Sequence, residues 1–179
     1  DANNVEVFSN ASGTGTFELS RLNIPISVTL IGEGPNPLIF MVTGIASING
    51  GLFGADKSRC VVMAYDATVL AGTQGMRNHQ KTDRLLGVAL QQRLPVVLFA
   101  EGGGGRPGDT DVAVVAGLHV GTFASYARLS GQVPVVGIAA GRCFAGNAAL
   151  LGCSDVIIAT RGSNIGMGGP AMVEGGGLG

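Results

Sequence analysis

The sequence predicts an α/β fold with a mixed or parallel sheet. Strand-like and helix-like stretches alternate in units of strand, strand, helix. Two apolar runs, residues 94–101 and 133–140, have the length and β-branching of strands buried on both faces. Each run drives straight into glycine: Gly102-Gly103-Gly104-Gly105 after the first, Gly141 and then Gly146 after the second. The 31 glycines among 179 residues follow no collagen-like period and sit mostly at strand ends, which suits a fold with many tight turns.

Taken in order, residues 1–23 are polar, rich in Ser, Thr and Asn, and read as loop. Residues 24–31 read as a strand and 32–37 as a turn region. Residues 38–48 form a second strand, bent at Gly44. Asn49-Gly50 is a hairpin signal, and a third strand follows at 59–65. Residues 66–75 read as strand decaying into loop. The spacing of Leu85, Leu86, Ala89 and Leu90 predicts an amphipathic helix over 78–92. Asp109 and Thr110 are N-cap candidates for a helix over 111–129. A short helix is expected from Ala148, a strand over 155–160, and an edge strand or loop over 165–170. Residues 173–179 are glycine-rich and read as a flexible segment.

Composition narrows the function. Hydrophobic residues make up 46% and charged residues 13%, so much of the chain is expected in a core or at an interface. A net charge of −1 argues against a nucleic-acid surface built on phosphate neutralisation. Cys60, Cys143 and Cys153 are odd in number with apolar flanks, which points to free thiols in a reducing compartment. No Cys/His spacing suggests zinc. No basic segment precedes an apolar one at the N-terminus, and no apolar run approaches the roughly 20 residues of a membrane span. The expectation is a soluble cytoplasmic protein.

Four bare glycines lose ordering entropy and pack nothing, so a fold keeps them where backbone must approach something closely. Main-chain N–H groups aimed from two strand-to-glycine junctions at one point would stabilise an oxyanion. The plainer reading is a tight turn. Gly103-x-Gly105-x-x-Gly108 formally matches a dinucleotide fingerprint, but Pro107 interrupts it and the next strand ends without an acidic residue. Arg77, Lys81 and Arg84 suit either a polyphosphate or a solvated helix face. Asp109 and Asp111 suggest a metal pair, with helix capping as the plainer alternative. Cys143 precedes a helix with no His near in sequence and reads as packing. His79 and His119 sit in helical stretches and read as ordinary residues rather than bases. Arg106 is expected to brace the loop through carbonyls or a carboxylate.

Several of these stretches together resemble a known family. Residues 66–69 and Ala71-Gly72-Thr73-Gln74-Gly75, then Lys81 and Arg84, then the glycine run with Arg106, are similar to the carboxyltransferase (β) component of biotin-dependent acyl-CoA carboxylases. So are residues 140–146, Ser154-Asp155 and Gly169-Pro170. The resemblance covers about 38–179 and leaves 1–37 unassigned. One departure is that this chain reads Gly-Gly-Gly-Gly-Arg where several relatives have Ser-Gly-Gly-Ala-Arg.

The resemblance implies a crotonase-like spiral of repeated ββα units. It also implies the acyl-CoA-binding half of a carboxyltransferase, inactive without a C-terminal half that carries the biotin pocket. The implied activity is carboxyl transfer from carboxybiotin to the α carbon of an acyl-CoA such as acetyl- or propionyl-CoA. The implied partners are a biotin carboxyl carrier, a biotin carboxylase component and a second copy of the chain. Carried over by motif, the thioester oxyanion donors are Gly103 and Gly104, with Gly105 one position away, and Ala145 and Gly146 at the second junction. CoA contacts are expected from Arg77, Lys81, Arg84, Gly72 and Gly169. Two rival readings are a crotonase-type hydratase or isomerase, which needs glutamates beside the hole where only Glu174 lies downstream, and a non-catalytic CoA-binding module. A spiral-fold serine peptidase would need Ser at the start of the second junction's helix, where Asn147 stands.

Overall fold

The computed structural model describes residues 14–18, 27–31, 41–48, 50–67, 69–106 and 121–176. Its centre is a five-stranded sheet in the order β3-β4-β5-β6-β8. The strands are β3 (Met41–Ser47), β4 (Arg59–Tyr65), β5 (Val96–Phe99), β6 (Val135–Ala139) and β8 (Val156–Ala159). The β3–β4 pair is antiparallel and the remaining pairs are parallel. A separate antiparallel pair, β1 (Thr14–Glu18) and β2 (Ser27–Ile31), precedes it. The sheet is therefore mixed, as the alternation of patterns predicts.

Strands β3 and β4 pair antiparallel, as the hairpin signal at Asn49-Gly50 predicts. Two single-turn helices, α1 (Gly50–Phe53) and α2 (Ala55–Ser58), lie between the strands. The helix predicted over 78–92 is α3 (Met76–Gln92), two residues longer at its start. There the Gly75 N–H donates to Asn78 Oδ1 at 3.1 Å, satisfying one donor at the helix entrance. Arg93 closes the helix in a left-handed conformation, φ 54°. Of the helix expected over 111–129, α4 (Thr122–Ala127) is described; Asp109, Asp111 and His119 lie outside the described residues.

The main core lies between one face of the sheet and the helices. Val61, Met63, Val96, Leu98 and Val135 from the sheet meet Leu86, Ala89, Tyr126, Leu129, Leu150 and Leu151. Burial of the opposite face varies from strand to strand: Ala46, Cys60, Val62 and Ile138 are buried there. Val97 and Phe99 on the opposite face of β5 are half-buried, against a smaller cluster of Ala46, Cys60 and Val62. Strand β8 forms the sheet's edge, with Val156 and Ile157 about half exposed. The expectation of strands buried on both faces thus holds for one face of β5.

After β6 the chain turns into β7 (Arg142–Phe144), α5 (Gly146–Gly152), then β8, β9 (Asn164–Gly166) and α6 (Pro170–Gly175). Strands β7 and β9 pair in parallel as a small second sheet. The segment expected to be flexible is helical as far as Gly175, and Glu174 is exposed on it. Pro170 at the first helical position presets the backbone angle and has no N–H to lose. Among the described residues, no helix is long and apolar enough to cross a membrane.

Candidate functional site

The two glycine junctions meet at the carboxyl ends of β5 and β6, the edge where open α/β sheets bind ligands. The glycine run is stitched on both sides. At Gly102 it joins β7: the Gly102 N–H donates to Arg142 O and the Phe144 N–H to Gly102 O, each at 2.8 Å. At Gly105 it joins Gln74: the Gln74 N–H donates to Gly104 O at 2.7 Å and the Arg106 N–H to Gln74 O at 2.9 Å. Those two bonds bracket Gly105 in a parallel bridge, so its own N–H faces away from Gln74.

Contact between the junctions is direct. A Cβ on Gly104 would come within 2.5 Å of Ala145 Cβ and 3.2 Å of Gly146 N. Gly104 has a φ of +88°, which only glycine adopts without strain. Ala145, between β7 and α5, has φ 49° and ψ −118°. This is a costly conformation for a residue with a Cβ, of order 1–3 kcal/mol, and such strain collects at functional sites. It is the strand-to-helix elbow on which hydrolases present a nucleophile. Ala145 stands at that turn here, and its methyl group offers no nucleophile.

Asn147 does something else. It is fully buried, and its Oδ1 accepts the Gly104 N–H at 2.9 Å. Its Nδ2 reaches Glu101 O at 3.5 Å. One side chain on α5 thus ties down the middle of the glycine run. Sequence reasoning assigned it no such role; a polar side chain on the first turn of an otherwise apolar helix was the available signal.

These bonds decide which amides remain open. The Gly103 N–H donates to Ala71 O at 2.9 Å, and the Gly104 N–H is held by Asn147. The Ala145 N–H donates to Gly166 O at 3.0 Å. Of the five amides expected to serve as donors, those three are occupied inside the protein. Among the described residues, the N–H groups of Gly105 and Gly146 meet no acceptor.

Arg106 is 6% exposed, and it donates from Nε to Thr73 Oγ1 at 3.2 Å and from Nη2 to Thr73 O at 3.0 Å. Gly72 has a φ of +63°, and a Cβ there would come within 2.8 Å of Glu101 O, so it packs against the start of the glycine run. Gly169 caps α6 and lies beside the Phe144 ring. Arg77, Lys81 and Arg84 share one face of α3, beginning one turn after Gln74. Arg77 and Arg84 are exposed; Lys81 is half-buried, and that burial lowers its pKa below the usual lysine value.

Gln74 itself is 1% exposed. Its Nε2 donates to Tyr65 Oη at 3.2 Å, while its Oε1 has no hydrogen-bond partner among the described residues, an arrangement that costs about 1–3 kcal/mol. Burial pushes the Tyr65 hydroxyl up to about 12, so it stays neutral. Burial likewise pushes the Cys143 thiol up to about 11, with the Glu101 carboxylate adding to the rise, which fits packing rather than reactivity. His79 is buried and pairs through Nδ1 with Thr122 Oγ1 at 3.0 Å, bridging α3 to α4.

The mixed, mainly parallel sheet, the small β7–β9 layer and the contact of the two glycine junctions define an α/β protein of the crotonase-like class. Residues 33–175 match the family described as "Carboxyl transferase domain". The chain belongs to that family. It is 33% identical over 138 residues to the biotin-dependent 3-methylcrotonyl-coenzyme A carboxylase beta1 subunit of Mycobacterium tuberculosis, covering 75% of this chain and 25% of that protein. Among solved structures it is similar to a single-chain, multi-domain long-chain acyl-CoA carboxylase, with a TM-score of 0.71, 63% identity, and 78% of this chain against 14% of that one covered. It is also similar to the transcarboxylase 12S core with methylmalonyl-coenzyme A bound, with a TM-score of 0.63 and 27% identity, covering 75% of this chain and 24% of the other. The chain thus spans a quarter or less of the length of these relatives.

Proposed function

We propose that this chain forms the acyl-CoA side of a carboxyltransferase site and holds a thioester enolate on the amides of Gly105 and Gly146. The supporting observation is the contact of two glycine junctions, with those two N–H groups meeting no acceptor among the described residues, in a chain of the carboxyl transferase family. Loss of the α proton of an acyl thioester moves charge onto the thioester oxygen. Amides fixed beforehand can receive that charge, and one such donor is typically worth about 3–4 kcal/mol. The new carbon–carbon bond would form between the α carbon and the carbon dioxide released as the N–C bond of carboxybiotin breaks; the ureido nitrogen so freed would take the α proton, and the charge returns from the thioester oxygen.

Nothing in this reading asks for a side-chain acid or base from this chain. Arg77, Lys81 and Arg84 hold the CoA phosphates, and Gly72 and Gly169 let backbone lie close to the substrate. Arg106 and Asn147 keep the glycine run in place. Biotin supplies the carboxyl group as carboxybiotin on a carrier; its pocket lies on a second domain, without which this chain is inactive. A biotin carboxylase component and a second copy of the chain complete the assembly, which is cytoplasmic.

The sequence expectation of acetyl- or propionyl-CoA is one arm of the test. The 63% identical structure is named for long-chain acyl-CoA, and that similarity favours a long acyl chain as the first substrate to try. The full-length protein is assayed with carrier, biotin carboxylase, ATP and labelled bicarbonate, against acetyl-, propionyl- and long-chain acyl-CoA. Acid-stable label on an acyl-CoA is the expected result. Label on none of them, or hydration of an enoyl-CoA without biotin, overturns the reading.

A further inference from the structure

Gln74 touches both halves of the site. Its main chain holds the glycine run, through the bonds to Gly104 O and from the Arg106 N–H that bracket Gly105. Its side chain reaches the other junction: a Cβ on Gly146 would come within 2.5 Å of Gln74 Oε1 and 3.3 Å of its Cδ. Bare glycine at 146 is what admits the carboxamide there. The far end of that carboxamide is fastened to the core, because Nε2 donates to Tyr65 Oη and the Tyr65 hydroxyl is in turn bonded to Thr82 on α3. An apolar side chain would fill this buried space without leaving Oε1 unpartnered. What an apolar chain lacks is a planar end group pinned at one corner by a hydrogen bond.

We propose that Gln74 is a positioning residue that sets the separation of the Gly105 and Gly146 amides. The proposal rests on the reading of those amides as oxyanion donors. The residue bridges the two junctions, with its backbone on one loop and its braced carboxamide against the other. Neither junction can shift without the other following through Gln74.

The test uses the full-length protein with its carrier. Gln74→Ala keeps the main-chain bonds and removes the spacer. Its kcat for carboxyl transfer is expected to fall about 10- to 100-fold, the loss typical of a misplacement near 1 Å, with KM for acyl-CoA within about two-fold. Gln74→Met refills the volume without the brace. It is expected to recover thermal stability and not kcat. Tyr65→Phe removes the brace from behind and is expected to lower kcat several-fold in the same direction. Recovery of both stability and kcat by Gln74→Met would reduce the role to packing and overturn the proposal. So would an unchanged kcat in Gln74→Ala. Hydrogen exchange at peptides covering 102–106 and 144–148 is read in parallel and is expected to rise at both in Gln74→Ala. If the unaltered protein transfers no carboxyl group, the functional reading fails, and exchange still decides the positioning role: no change at either peptide overturns it.

Discussion

Gly104→Ala is the sharpest perturbation of the site. Two penalties add at this position. The φ of +88° places the residue where a Cβ costs roughly 1–2 kcal/mol. The new methyl would also lie 2.5 Å from Ala145 Cβ. Carbon atoms prefer about 3.5–4.0 Å, so one loop must give by about an ångström, an overpacking worth roughly 1–3 kcal/mol. Ala145 is already strained at φ 49° and is hydrogen-bonded to Gly166, so the movement passes to the Gly146 amide, 3.2 Å from the added atom. A total of roughly 2–5 kcal/mol lowers Tm by about 4–20 °C in a domain of this size. A donor displaced by about an ångström lowers kcat up to about 100-fold, with acyl-CoA binding largely kept. Thermal melts and carboxyl-transfer kinetics on the full-length protein read the two effects separately. Gly105→Ala is the control, since a Cβ there meets nothing within 4 Å. It is expected to hold stability within about 0.5 kcal/mol. Wild-type Tm and kcat in Gly104→Ala would refute the packing of the two junctions.

Other substitutions follow from the same contacts. Asn147→Ala leaves the Gly104 amide buried without an acceptor and is expected to destabilise by about 1–3 kcal/mol in urea unfolding, with Asn147→Asp recovering part of that loss. Ala145→Gly relieves a strain of about 1–3 kcal/mol against about 0.4–1 kcal/mol of extra unfolded-state entropy, so the urea midpoint is expected to rise or stay level. Among the three cysteines Cys153 is exposed while Cys60 and Cys143 are buried, so one thiol per native chain should react quickly with a thiol reagent at pH 8. Burial raises Cys60 and Cys143 from 9.0 to about 11, and Tyr65 and Tyr126 from 10.0 to about 12. The unfolded chain gives up these protons first, so their contribution is intact below pH 9 and lost as pH rises toward 12. The denaturation midpoint should fall across that window.

Much of the architecture is legible without coordinates. Residues 59–65 read as a strand because β-branched and apolar residues run together there, and β4 occupies those positions. Leu86 and Ala89 repeat at helical spacing, and both end in the core under α3. Both glycine junctions are visible as apolar runs that stop at glycine. The hairpin of β3 and β4 is legible too, but not the two single-turn helices that connect its strands, because local pattern does not announce them. The burial of β5 is less legible, because an apolar run does not say how many layers cover it.

The sequence by itself determined that two apolar strands would each run into glycine, since such junctions are spelled in adjacent residues. Which amides stay open was decided only by tertiary structure. Asn147 reaches back 43 residues to take the Gly104 N–H, Ala71 takes that of Gly103, and Gln74 brackets Gly105 so that its amide faces away. Hydrogen-bond partners far apart in the chain leave no trace in local periodicity. The set of amides left open therefore emerges only when the loops meet.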